Sequence, residues 1–68
     1  MSTLEFYLAR AQQCALDADE TGLENVRERH LRARSAWLAM ADKLERTTTA
    51  RAEAAAEKAA VQLSPYQA

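Results

Sequence analysis

Isoleucine is missing from this 68-residue chain, valine occurs twice, and glycine, proline, cysteine, histidine and tryptophan occur once each. Each scarcity removes a class of protein. Strands draw on β-branched and aromatic residues, and two valines with 6% aromatics cannot furnish a sheet. Barrels and sandwiches also need frequent turn residues, which one Gly and one Pro do not provide. A lone cysteine, Cys14, excludes an internal disulfide and fits a reducing compartment. Nine basic residues against ten acidic leave a net charge of −1, without the positive surplus that phosphate partners call for. The longest apolar run, Ala36 to Ala41, is far shorter than the roughly 20 residues that span a bilayer. The opening Met1-Ser2-Thr3-Leu4-Glu5 has neither the basic stretch nor the apolar core of a signal peptide. The expectation is a cytoplasmic chain with no membrane segment.

What is abundant is alanine, at 16 residues, followed by leucine at eight. Both favour helix, and the class is all-α. Only 14 side chains are large and apolar (Leu, Val, Met, Phe, Trp), so a single chain of this size has little to bury.

A first helix is predicted from Ser2 or Thr3, both good N-caps, with Glu5 well placed in the first turn. It reaches about Asp19. The turn falls near 20–23. There, Gly22 in the left-handed conformation would end the first helix, or Thr21 would cap the second in a capping box with Glu24. The second helix carries the clearest signal. Leu23, Val26, His30, Ala33, Trp37, Met40 and Leu44 alternate in steps of three and four, a heptad stripe. Leu4, Tyr7, Ala11, Cys14 and Ala18 form a shorter stripe of the same kind.

Folding the chain antiparallel about the turn brings both stripes into register. Ala18 meets Val26, Cys14 meets His30, Ala11 meets Ala33, Tyr7 meets Trp37 and Leu4 meets Met40. The predicted hairpin seam is therefore Tyr7, Ala11, Cys14, Ala18, Val26, His30, Ala33, Trp37, Met40 and Leu44. Small residues at 11, 18 and 33 would allow close approach of the helices.

The hairpin occupies residues 3–46. Thr47-Thr48-Thr49 weakens helix without forbidding it, and 50–62 is rich in Ala, Glu, Lys and Arg. Residues 47–63 read as an Ala-rich helical extension, either a continuation of the second helix or a weak third one. Its apolar face is Ala52, Ala56, Ala59 and Leu63. Ser64-Pro65 stops it, and residues 64–68 are expected to be a disordered tail.

The segments Phe6-Tyr7-Leu8-Ala9-Arg10-Ala11, Asn25-Val26-Arg27-Glu28-Arg29-His30-Leu31 and Ala36-Trp37-Leu38-Ala39-Met40-Ala41 read as Y-x-x-R-A, V-R-x-x-x-L-x-A and W-x-x-M/L-A. Over about residues 4–46 this resembles a group of short, uncharacterised alphaproteobacterial proteins. The resemblance implies a helical hairpin with no assigned activity and transfers no catalytic or binding residue.

Leucines off the stripe point to a partner. At 100° per residue, Leu31 and Leu38 lie about 80–100° from His30, on a flank the first helix cannot cover. Phe6, Leu8 and Leu16 also fall off the first helix's stripe. Together they would expose several hundred Å² of apolar surface, which marks an interface. The predicted outer patch is Phe6, Leu8, Leu31 and Leu38. Its occupant would be a second copy, giving a four-helix bundle, or an unidentified protein.

Two constellations could carry chemistry. Cys14 and His30 share a layer and could form a thiolate–imidazole pair or half a zinc site. Both also suit plain packing in the seam, and no orienting third group accompanies them. No catalytic residue, metal or cofactor is assigned. Arg27, Arg29, Arg32 and Arg34 are candidate phosphate contacts, but their angles scatter them around the helix, and Glu24 and Glu28 interleave them. Asp17 could pair with Arg27. Trp37 with Tyr7 reads as an aromatic pair in the seam. The function expected is a non-enzymatic, self-associating interaction or regulatory module, with a small nucleic-acid-associated protein as the alternative.

Overall fold

The computed structural model describes residues 1–63, so the tail expected at 64–68 lies outside them. Two helices, α1 (Thr3–Glu20) and α2 (Glu24–Gln62), account for nearly all of these residues, and no strand occurs among them. The described part is thus all-α.

A capping box starts α1. The Glu5 backbone N–H donates to Ser2 Oγ at 3.1 Å, and the Ser2 N–H donates to Glu5 Oε2 at 3.3 Å. Two backbone donors that the helix cannot satisfy are thereby satisfied reciprocally.

Neither expected turn chemistry is used. No residue in the described part, Gly22 included, has a positive φ, so no left-handed cap closes α1. Nor does Thr21 form a capping box with Glu24, because the N-cap of α2 is Leu23 and carries no side-chain cap. Thr21 instead ends α1 in an extended conformation, and its Oγ1 accepts the Leu23 N–H at 3.2 Å. The Thr21 carbonyl accepts from Arg27 Nη2 at 3.4 Å. Local hydrogen bonds from a threonine thus shape a turn that leaves glycine's special freedom unused.

The helices pack on each other along α1's full length. Thr21 lies beside Arg27, Tyr7 beside Trp37, and Ser2, Thr3 and Leu4 line one pocket with Leu44, Glu45, Thr48 and Thr49. Buried at the contact are Ala11, Cys14, Ala18 and Ala41, each less than 8% exposed. Methyl-sized groups let the backbones approach, so the interior is thin and no large side chain among the described residues is fully enclosed.

From Glu24, α2 runs unbroken through the three threonines to Gln62. The Thr47 hydroxyl donates to the Lys43 carbonyl at 2.9 Å, one turn back, so the side chain bonds within the helix rather than competing with it. With α1 starting beside Leu44–Thr49, residues 50–62 extend past the end of α1, and every one of them is exposed. The Cα trace measures 68 × 21 × 11 Å, a long sheet of helix only one layer thick.

Candidate interaction face

Of the predicted seam, Ala11, Cys14 and Ala18 are buried, while Tyr7, Val26, His30, Ala33, Trp37 and Leu44 are half-buried. Met40 departs from its expected place: it is 43% exposed, and Ala41 is buried at 3%. A straight helix turns once in about 3.6 residues, whereas a heptad repeats every 3.5, so a strict three-four stripe drifts about 20° per heptad. By the second heptad after His30 the drift has turned Ala41 to the contact and Met40 to its edge. There Met40 lines a shallow groove with Tyr7, Lys43, Leu44, Thr47 and Arg51.

Phe6 belongs to a cluster with the seam aromatics. Its ring meets Trp37 edge to face at 5.7 Å between centroids and Tyr7 at 6.2 Å, and Tyr7 lies 5.8 Å from Trp37. The Arg10 guanidinium sits 5.6 Å from the Trp37 ring centroid, within cation–π range. Arg10 follows Phe6 by four residues and Tyr7 by three, the helical spacing that puts these side chains together. On this flank the Trp37 ring is covered by the chain's own side chains.

The opposite flank carries four leucines. Leu8, Leu16 and Leu31 are 43–47% exposed, and Leu38 is 36% exposed. Measured from Ala11, Leu8 and Leu16 lie about 60° and 140° to one side of α1, and Phe6 lies about 140° to the other. All four residues of the expected patch are exposed, Phe6 at 46%, but they lie on two flanks. Phe6 joins the aromatic cluster, and Leu16 belongs with the remaining leucines.

Cys14 is buried and His30 half-buried. Among the described residues no group of three or more His, Cys, Asp or Glu side chains is placed to hold a metal ion. Arg27, Arg29, Arg32 and Arg34 are all exposed. Arg27 is engaged by the Thr21 carbonyl rather than by Asp17, whose Oδ1 accepts from Gln13 Nε2 at 2.9 Å. The ion pair found among the described residues is Arg46 with Asp42, at 3.0 Å. No helix there is long and apolar enough to cross a membrane.

Comparison of the chain with protein-family models, with curated proteins and with solved structures returns no match. The functional reading therefore rests on the geometry above.

Proposed function

We propose that this chain is a non-enzymatic, self-associating interaction module: an antiparallel helical hairpin that covers its leucine flank with a second copy. The contacts of Tyr7 with Trp37 and of Thr21 with Arg27 support the antiparallel arrangement. Helices of opposite direction turn flanks of like angular sign to the same side. Leu8 and Leu16 of α1 then share one side with Leu31 and Leu38 of α2.

The observation that carries the reading is the exposure of these four leucines beside an interior made of three alanines and a cysteine. Burying a leucine fully contributes about 1.5–3 kcal/mol, and each of these four still has a third to a half of its surface left to bury. Domains are ordinarily built of two or more packed layers, and this chain supplies one. Phosphate recognition draws less support, because the four arginines of α2 scatter around its circumference and Arg27 is already bonded to the turn.

Leu31→Glu with Leu38→Glu tests the reading by sedimentation velocity and circular dichroism together. The expected result is loss of the self-associated species with the helical signal largely kept. Unchanged association in the double variant would overturn the assignment of this flank.

A further inference from the structure

The proposed self-association leaves open which part of the second copy lies on the leucines. We infer that it is the protruding end of α2, residues 50–62, so that each copy lays its own overhang across the other's leucine flank. The inference rests on the reading above and adds the occupant and its register.

Three observations carry it. The first is area. A folded monomer of 7.6 kDa is expected to expose about 4300 Å², whereas this chain exposes 5605 Å². The surplus exceeds the roughly 800 Å² that each partner contributes to a standard interface.

The second is phase. Leu31 and Leu38 lie about 80–100° around α2 from His30, and Ala52, Ala56 and Leu63 lie about 40–80° from it on the same side. The leucine flank therefore continues into the overhang, where its side chains become small.

The third is fit. If two α2 helices run antiparallel about a two-fold axis near residue 47, Ala56 faces Leu38 of the second copy and Leu63 faces Leu31. At Ala56 a small side chain meets a large one, which favours interdigitation, and Leu63, just past the end of α2, brings a second large apolar side chain against Leu31. A two-fold interface is self-complementary, so both overhangs are covered at once.

Cross-sections on either side of the axis then hold three helices: α1 and α2 of one copy and the overhang of the other. This differs from the four-helix bundle of two fully overlapped hairpins. Each hairpin is completed by a segment that, beyond Arg51, is exposed throughout among the described residues.

Ala56→Glu tests the inference in the full-length chain. Ala56 is exposed in the single chain and glutamate is a good helix former, so the hairpin itself is unperturbed. Placing a charge opposite Leu38 should raise the dimer dissociation constant about 100-fold in sedimentation equilibrium. Ala54→Glu, about 160–200° around the helix from Ala52 and Ala56, should leave it unchanged. In a second experiment Leu38→Cys and Ala56→Cys chains are mixed and oxidised. The mixture should form covalent heterodimers. Ala56→Cys alone should not, because its two copies would lie about 27 Å apart along the helices. A dimer indifferent to Ala56→Glu but dissociated by Leu38→Glu overturns the overhang and leaves self-association standing. A chain that stays monomeric at tens of micromolar overturns both.

Discussion

The rings of Phe6 and Trp37 meet edge to face, 5.7 Å apart at their centroids with planes 87° apart, one residue from each helix. Each ring has Tyr7 as a second neighbour. Trp37→Ala is expected to cost roughly 2 kcal/mol, below the 3–5 typical of a fully buried ring because Trp37 is only half-buried. Phe6→Ala should cost about 1 kcal/mol. Because the rings touch, a double-mutant cycle by urea unfolding should give a coupling of about 0.5–1.5 kcal/mol, and zero coupling would contradict packing of Phe6 on Trp37.

The close contact depends on methyl groups. Ala11 and Ala18 are each 2% exposed, with no room for a larger side chain. Ala11→Leu should destabilise by about 1–3 kcal/mol through overpacking. Ala9→Leu, at an exposed position of the same helix, should change the melting temperature little when protein concentration is held fixed.

Gly22 has no positive φ, and a Cβ added to it would meet nothing within 4 Å. Its backbone freedom only costs the folded state. Gly22→Ala is expected to stabilise the chain by about 0.4–1 kcal/mol. Destabilisation in thermal unfolding would contradict the extended turn.

Ser2 and Glu5 cap α1 reciprocally. Removing the hydroxyl in Ser2→Ala should cost about 1 kcal/mol. The loss should show as faster amide exchange in the first turn of α1, with the middle of α2 unaffected.

How much of this was legible in the sequence depended on which force decided each feature. The class followed from composition, and the turn between residues 20 and 24 followed from Thr21-Gly22 interrupting two periodic stripes. Ala11, Cys14 and Ala18 are buried where their spacing puts them, because α1 is too short for its stripe to drift. Over the longer α2 the mismatch between 3.5 and 3.6 residues per turn accumulates, and Ala41 replaces Met40. Gly22 misled because glycine permits a left-handed cap without requiring one. Phe6 was assigned outward by its angle on the helix and is 46% exposed, yet its ring also leans on Trp37. A long flexible arginine and a large ring can reach sideways over Trp37, which an angle measured at Cα does not register. The paired exposure of Leu31 and Leu38 was readable because two helices share a single contact.

Sedimentation equilibrium of the unmodified chain across a concentration series tests the self-association claim most directly. The account predicts a mass approaching twice 7.6 kDa as concentration rises through the micromolar range. A mass of one chain at every concentration up to tens of micromolar would contradict it.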